Sequence, residues 1–312
     1  MPQLSAPRKK LDALRQALTP AASVLVIVHD YPDPDCLAAG FGMQHLLRFW
    51  GVPTAAIAFG GFVGRLENRT MIEVLGIETT LYKKIDPDEF DRTVLVDCFP
   101  GNGNVSLPSS KPVHAVIDHH PQRHRSKLPF FTDISRRIAS TSTLIFRYLK
   151  TASCPIPPTL ATALFYGIKT DTGHMLREVS VEDLSSYTML FGLCDHHALA
   201  QIEHPRLNAG HFRILRDACE AAVGYGTVGY LPLGDVPTPD YVAEMADLFA
   251  RLDRLHSVIC TGMFDGFLFY SIRCRAANGH ADEQAEAIAG ELGGSGGGHR
   301  RASAGRIPLA RR

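Results

Sequence analysis

The fold of this chain follows from residues 24–40, VLVIVHDYPDPDCLAAG. Val24–Val28 is an unbroken apolar run rich in branched residues, which is typical of a strand buried on both faces of a sheet. His29, Asp33 and Asp35 come directly after it, at the position where open α/β sheets bind their ligands. Imidazole and carboxylate groups on one turn indicate part of a metal site.

The same pattern recurs along the first part of the chain. A second apolar run, Thr93–Val96, ends in Asp97, and a third, Val113–Ile117, ends in Asp118-His119-His120. A helix predicted over Thr159–Gly167 leads to Asp171. Strands that alternate with helices predict a parallel sheet, whose strands all end on one edge. The sequence therefore predicts that these polar residues converge.

The predicted centre has two imidazole and four carboxylate ligands: His29, Asp33, Asp35, Asp97, His119 and Asp171. This set suits Mn²⁺, with Mg²⁺, Co²⁺ and Zn²⁺ as weaker competitors. Six ligands are more than one ion takes while it leaves a position for substrate, so we expect two ions per chain with a shared carboxylate. Two ions about 3.5–4 Å apart can activate a water and hold phosphoryl oxygens.

Composition describes an ordinary globular protein. Of 312 residues, 45% are hydrophobic and 21% charged, and 32 basic residues balance 32 acidic ones. This balance argues against long duplex nucleic acid as a partner, because duplexes are held by extended basic surfaces. Seven scattered cysteines without a CxxC pair fit free thiols. With no signal peptide and no apolar run long enough for a bilayer, we expect a cytoplasmic protein without membrane contact.

The predicted fold class is α/β, with a parallel-sheet domain carrying helices on both faces and a smaller α/β domain. The pattern changes near Gly224, where strands predicted over Val228–Leu233, Ser257–Met263 and Gly266–Cys274 surround one helix. We therefore predict a catalytic domain over 1–204, a linker helix over 205–222 and a substrate-binding domain over 223–312.

Taken together, these residues resemble the DHH phosphoesterase family. The motif HxxxDxD at His29–Asp35, the strand-end Asp97, the Asp118-His119-His120 triplet and Asp171-Thr172-Gly173 match its four motifs in order. The segment GGSGGGHRRASAG looks like the glycine-rich GGGH signature of the DHHA1 domain. Pro34 stands where the family often has glycine, but no ligand is missing.

The resemblance implies a role for each residue. His29, Asp33 and Asp97 would hold one Mn²⁺, and Asp35, Asp97, His119 and Asp171 the other, with Asp97 as the bridge. Asp118 would orient the histidine pair. His120 would contact the scissile phosphate and protonate the leaving oxygen. In the second domain, the implied substrate contacts are Arg273, Gly296, Gly297, Gly298 and His299.

The compact members that this layout resembles are nanoRNase-like enzymes and dinucleotide phosphodiesterases. The function implied is Mn²⁺-dependent hydrolysis of short oligoribonucleotides or linear dinucleotides to mononucleotides, with pAp and cyclic dinucleotides as further substrates and a homodimer as a frequent state. Two alternatives stay open: a pyrophosphatase or polyphosphatase, and a nucleic-acid-binding regulatory module without catalysis. A second triplet, Asp195-His196-His197, follows a helix, so we interpret it as a helix terminus.

Overall fold

The computed structural model describes residues 6–121, 131–177, 179–276 and 279–309, except for the side chain of His299. The chain divides into two compact units between Pro205 and Arg206. None of the helices in these ranges combines the length and hydropathy that a membrane span requires.

The first unit is built on a six-stranded, all-parallel sheet in the order β3-β2-β1-β4-β5-β6. Its strands are β1 Ser23–Ile27, β2 Thr54–Phe59, β3 Thr79–Leu81, β4 Arg92–Val96, β5 Ala115–Asp118 and β6 Phe131–Ile134. Its helices are α1 Ala6–Leu18, α2 Pro34–Phe49, α3 Leu66–Leu75, α4 Thr141–Thr151, α5 Pro158–Asp171, α6 Val181–Phe191 and α7 His196–Glu203. Because β1 lies between β2 and β4, the chain reverses its direction of crossing there, which is where such sheets bind ligands.

Side chains of the strands alternate between two cores. Val24 and Val26 face the core that contains buried residues of all seven helices. Leu25 and Ile27 face the other core, with Cys98, Phe99 and partly buried side chains from 3₁₀ turns and loops. The α/β class is confirmed, but the second face is covered by these turns and loops where we expected helices. The β4–β5 connection is rich in proline and glycine, which disfavour a helix.

One buried ion-pair network fixes helix α4 against the sheet. Asp133 on β6 accepts hydrogen bonds from Arg147 at 2.6 Å and Tyr148 at 2.5 Å, and Lys10 of α1 lies 2.5 Å away. Its side chain is only 1% exposed, so this carboxylate depends on its partners. The network holds the helix whose first residues complete the site described below.

The second unit is a smaller α/β layer with a mixed six-stranded sheet in the order β11-β12-β10-β9-β8-β7. Its elements are α8 Ala209–Ala221, β7 Val223–Tyr225, β8 Val228–Asp235, α9 Asp240–Phe249, β9 Ser257–Phe264, β10 Phe267–Cys274, α10 Ala281–Glu291, β11 Ser295–His299 and β12 Ala302–Pro308. The glycine run thus forms an edge strand, which the sequence pattern did not predict, because strands normally contain few glycines.

Candidate metal centre

The turn after β1 presents His29 and Asp33. Asp33 is the N-cap of α2, where its Oδ1 accepts from the backbone N–H of Cys36 at 3.0 Å. The Nδ1 of His29 lies 2.9 Å from the carbonyl oxygen of Asp30. That contact makes Nδ1 the protonated nitrogen and leaves the Nε2 lone pair available to a metal ion.

Asp97 follows β4 and lies at the centre of the site. It is 1% exposed and has a φ of 61°, in the left-handed region that residues other than glycine seldom adopt. Its backbone N–H donates to the carbonyl oxygen of Ile117, and its Oδ1 accepts from the hydroxyl of Thr141 at 2.6 Å. Strained backbone of this kind persists where surrounding contacts hold it, often at functional sites.

The N-terminus of α4 holds Asp35. Its two carboxylate oxygens accept from the backbone N–H groups of Thr141 and Ser142, at 2.7 and 2.9 Å. The first turn of a helix has N–H groups without helical partners and a partial positive charge, so it stabilises a carboxylate there. Asp35 is thereby fixed while other lone pairs of its oxygens remain available.

The three residues at the end of β5, Asp118, His119 and His120, have different roles. Asp118 is fully buried, and its Oδ1 accepts from the backbone N–H of His120 at 3.0 Å and lies 2.9 Å from the ring Nδ1 of His120. The His119 ring packs against the His120 ring with centroids 4.1 Å apart. Asp118 therefore orients the ring of His120 directly. The hydrogen bonds of Asp118 in the described structure do not reach the ring of His119.

Asp171 is the last residue of α5, and its Oδ2 lies 3.1 Å from Nε2 of His119. A carboxylate at a helix C-terminus is opposed by the helix dipole. Placing Asp171 at this end of the helix costs stability, which indicates that an interaction outside the helix favours the carboxylate here.

The structure brings all six predicted ligands together in overlapping groups, within which the ligand atoms lie no more than 4.8 Å apart: His29, Asp33, Cys36 and Asp97; Asp97, His119 and His120; and Asp35, His119 and Asp171. Nε2 of His29 lies 3.5 Å from Asp33 and 3.6 Å from Asp97, and Nε2 of His119 lies 3.6 Å from Asp97. These distances can be compared with the separation of two neighbouring ligand atoms that bind one ion, each at about 2.1 Å from it. That separation is about 3.0 Å in octahedral geometry and about 3.4 Å in tetrahedral geometry.

Polar atoms left without partners test whether a cation fits here. Among the described residues, Oδ2 of Asp97, Oδ2 of Asp171 and Nε2 of His119 are buried and have no hydrogen-bond partner. Although Asp171 and His119 approach to 3.1 Å, these atoms do not have hydrogen-bond geometry. Leaving such atoms unpaired is costly. A divalent cation would satisfy all of them, so the residues fit a metal ion.

Crowding also shifts the protonation of the carboxylates. Burial, followed by the charges of Asp33 and Asp97, raises the pKa of Asp171 to about 8. Burial and the charges of Asp97 and Asp171 raise the pKa of Asp35 well above its usual range. A bound cation would oppose both causes, because it favours the charged form of a buried carboxylate and neutralises the charge of its neighbours.

The three histidines respond differently to the same surroundings. Burial lowers the pKa of His119, which favours the neutral ring that a metal ion binds. Burial also lowers the pKa of His120, but the hydrogen bond with Asp118 and the charge of Asp97 outweigh it and raise the value to about 9. At His29, burial also lowers the pKa of the ring. The charges and hydrogen bonds of Cys36 and Asp33 outweigh this effect and raise the pKa.

Two residues of this centre were not predicted as part of it. Thr141 follows Ser140, the N-cap of α4, and its hydroxyl donates to Asp97. Cys36 comes directly after the first motif and joins the group around His29. By contrast, Asp195 of the second triplet is the N-cap of α7, which confirms the interpretation as a helix terminus.

In the second unit, Arg273 on β10 already has partners. Its Nε pairs with Asp247, and its Nη1 donates to the hydroxyl of Ser271 at 2.7 Å and to the carbonyl oxygen of Ser303 at 3.3 Å. Its side chain is 13% exposed. A role in substrate binding thus stays a prediction, and it would involve Nη2 or an exchange of Asp247 for substrate.

The predicted glycines lie in β11, paired with β12. A Cβ at Gly296 would lie 2.2 Å from the hydroxyl oxygen of Tyr270, which donates to the carbonyl oxygen of Ala285. Packing alone therefore requires glycine at 296. At Gly297 a Cβ would have no described atom within 4 Å. The side chain of His299 lies outside the described residues, so its predicted role stays a prediction.

An α/β unit with a centre for divalent metal ions is the class of protein that this geometry defines. Residues 23–168 match the family model described as "DHH family, N-terminal domain". This segment of the chain is therefore similar to the N-terminal domain of the DHH family.

This chain is also similar to three individual proteins. The uncharacterized protein MJ1633 of Methanocaldococcus jannaschii is 28% identical over 290 residues, 92% of this chain and 58% of the relative. A probable manganese-dependent inorganic pyrophosphatase of Streptococcus agalactiae is 23% identical over 154 residues, 48% of this chain and 49% of the relative. An exopolyphosphatase-related protein from Bacteroides fragilis shares the fold at 15% identity, with a TM-score of 0.77 over 98% of this chain and 92% of that one. The alignments thus span only 58% and 49% of the two sequence relatives.

Replacing Asp171 with asparagine is expected to stabilise the metal-free protein. Because the pKa of Asp171 is raised to about 8, the folded chain keeps a proton that the unfolded chain loses near pH 4. Stability of the metal-free wild type therefore falls as pH rises between these values. Asp171→Asn lacks this dependence, so its Tm should exceed that of the wild type by a growing margin, reaching several degrees near pH 8.

The measurement is thermal unfolding from pH 5 to 8, with chelator and then with Mg²⁺ or Mn²⁺. Adding the ion should reverse the order of the two proteins, since a neutral amide is a weaker ligand than a carboxylate. Parallel pH profiles of the metal-free proteins would contradict the prediction.

Replacing Thr141 with valine is expected to weaken metal binding about 10–100-fold, the usual cost of removing a group that orients a ligand. Valine keeps the shape of the side chain but removes the hydrogen bond to Asp97. Calorimetric titration with Mn²⁺ measures the affinity. Thr141→Ser retains the hydroxyl and should bind as tightly as the wild type; equal weakening in both variants would show that packing, and not the hydroxyl, matters.

Proposed function

We propose that this chain is a phosphoesterase that uses two divalent ions, Mn²⁺ foremost and Mg²⁺ or Co²⁺ as substitutes, to hydrolyse short oligoribonucleotides or linear dinucleotides to mononucleotides. The observation that carries the proposal is the set of buried atoms that have no partner among the described residues, in groups that meet at Asp97 and His119. The name of the streptococcal relative supports manganese as the ion.

In this proposal His29, Asp33 and Asp97 hold one ion, and the second is held by Asp35, Asp97, His119 and Asp171. When bound, the two ions supply Lewis-acid activation of the phosphoryl group and of the attacking water. The first turn of α4 and the hydroxyl of Thr141 keep Asp35 and Asp97 in place, so that the ligands are positioned before substrate arrives.

His120 is the proposed group that acts on the substrate. Asp118 holds Nδ1 of its ring at 2.9 Å, and 32% of the side chain is exposed. Nε2 is therefore the ring atom available to the scissile phosphate. A protonated Nε2 there can donate a hydrogen bond to a phosphoryl oxygen and pass its proton to the leaving oxygen. Asp118 keeps the ring in the orientation that this transfer requires.

A small substrate fits the balance of 32 basic and 32 acidic residues, because long nucleic acids need extended basic surfaces. Arg273 and the β11 backbone are the proposed contacts for the part of the substrate away from the metals, with pAp and cyclic dinucleotides as further candidates. The second candidate function is a pyrophosphatase or polyphosphatase. The name of the streptococcal relative favours it, and so does the existing Asp247 partner of Arg273.

A substrate panel separates these two functions. With Mn²⁺ present, we expect turnover of pApA and of oligoribonucleotides of two to about five units, and slower turnover of pAp, cyclic di-AMP and pyrophosphate. Arg273→Gln should raise KM for the dinucleotide and leave any pyrophosphate hydrolysis unchanged. Turnover of pyrophosphate or polyphosphate alone would transfer the assignment to the second candidate function.

Replacing Asp97 with asparagine tests the shared ligand. Asparagine tolerates the left-handed φ of this position, so we expect a folded chain that loses at least about 100-fold of its activity, because both ions lose a carboxylate. Calorimetry should also show fewer than two Mn²⁺ bound. Asp195→Asn in the second triplet is the matched control and should leave binding and activity intact. Full activity of the Asp97 variant would refute the two-ion centre.

A further inference from the structure

The group around His29 contains a sulfur atom. Cys36 is fully buried near the start of α2, and its Sγ and the ligand atoms of His29, Asp33 and Asp97 all lie within 4.8 Å of one another. The N-cap hydrogen bond from its backbone N–H to Asp33 fixes Cys36 next to that carboxylate. One nitrogen, two oxygens and one sulfur thus converge.

Two independent observations indicate that this group is open to a ligand. Oδ2 of Asp97 lies 3.6 Å from Nε2 of His29 and has no hydrogen-bond partner among the described residues, although Asp97 is 1% exposed. The other nitrogen of His29 is already engaged with the carbonyl oxygen of Asp30. Nε2 of His29 and Oδ2 of Asp97 are therefore the atoms of these two residues that remain available to a cation.

The other cysteines are placed differently. Cys98 is also buried, directly after Asp97 in sequence, but its thiol donates to the carbonyl oxygen of Ile27. Cys154 likewise donates to the carbonyl oxygen of Pro155. Within the part of the chain that the structure describes, Cys36 alone among the cysteines joins a group of metal-capable side chains.

The chemistry of these donors differs between the two halves of the centre. The group of Asp35, His119 and Asp171 contains only oxygen and nitrogen, which suits Mn²⁺ and Mg²⁺. A thiolate added to one imidazole and two carboxylates gives four donors, the number that Zn²⁺ and Co²⁺ accept in tetrahedral sites. Thiolate ligands select such ions over Mn²⁺.

We propose that Cys36 is a fourth donor of the His29–Asp33–Asp97 subsite and makes this subsite select Zn²⁺ or Co²⁺ over Mn²⁺. The inference rests on the metal centre of the proposed function. On binding, the thiol proton leaves to solvent and the sulfur donates an electron pair to the ion. The oxidation state of the ion does not change, so the step needs no other reactant. With Zn²⁺ or Co²⁺ present beside Mn²⁺, the protein then carries a borderline ion at this subsite and a hard ion at the other, whereas with Mn²⁺ alone both subsites take Mn²⁺.

Cobalt absorption provides a test that does not depend on activity. The full chain carrying Cys219→Ser, which removes the exposed thiol, is titrated with Co²⁺ while near-ultraviolet absorption is recorded. We expect a sulfur-to-cobalt charge-transfer band that saturates at one ion per chain. The band should be absent when Cys36→Ser or Cys36→Ala is added, and retained with Cys98→Ser. Zn²⁺ affinity should fall about 10–100-fold in Cys36→Ser, with little change for Mn²⁺.

Thermal unfolding and Mn²⁺ calorimetry show whether each variant is folded and holds a metal centre, and Cys36→Ala replaces Cys36→Ser if serine disturbs the core. Mn²⁺ binding by the parent chain without a cobalt–sulfur band would overturn this inference alone, as would a band that persists in both Cys36 variants. Failure of the parent chain to bind any of the three ions would overturn the proposed function together with this inference.

Discussion

Repulsion among carboxylates at one edge of a parallel sheet is the constraint on which this structure depends. Asp33 and Asp35 stand on one turn, Asp97 and Asp171 come from two distant places in the sequence, and all four lie in overlapping groups of ligand atoms. Burial and the charges of neighbouring carboxylates disfavour the charged forms of Asp35 and Asp171. The raised pKa values of Asp35 and Asp171 express this cost. At Asp33, by contrast, the charge and hydrogen bonds of its neighbours, His29 foremost, outweigh burial and lower the pKa. A fold without function would gain stability by replacing Asp171 with a neutral residue.

The protein offsets part of this repulsion with its own groups. The first turn of α4 donates two backbone hydrogen bonds to Asp35 and one hydroxyl hydrogen bond to Asp97. His29 and His119 lie between pairs of carboxylates. Within the described ranges of the chain, Oδ2 of Asp97 and Oδ2 of Asp171 still have no hydrogen-bond partner, and a cation would satisfy both. The scaffold and a bound metal would therefore have separate tasks: helix α4 fixes the ligands, and the metal would neutralise them.

Sequence reasoning succeeded where the relevant signal is local. The apolar runs that end in His29, Asp97 and Asp118 identify buried strands and the edge at which their polar ends meet, and the α/β class follows from their alternation with helices. Contacts between distant positions were not accessible in this way. Thr141 is 106 residues from Asp35 and 44 from Asp97, and its local sequence suggests only the start of a helix. Its role depends on where the Asp133 network places α4.

The cover of the sheet and the glycine run show the same limit. Strand composition predicts burial on both faces, but it does not distinguish helices from the loops that cover one of them. At β11, glycine composition suggests either a linker or a ligand loop, while the structure has a paired edge strand.

Tertiary packing accounts for two of the three predicted glycines. The hydroxyl of Tyr270 occupies the space of a side chain at Gly296, and Gly298 has a φ of 148° with the backbone of β12 against it. Gly297 has neither a close neighbouring atom nor a left-handed φ, and a side chain at this position would meet open space within the described structure. Glycine in a strand interior costs stability because the unfolded chain is more flexible there. The absence of a side chain at 297 is therefore the feature of this strand that the fold does not explain, and it is where a contact with substrate should first be sought.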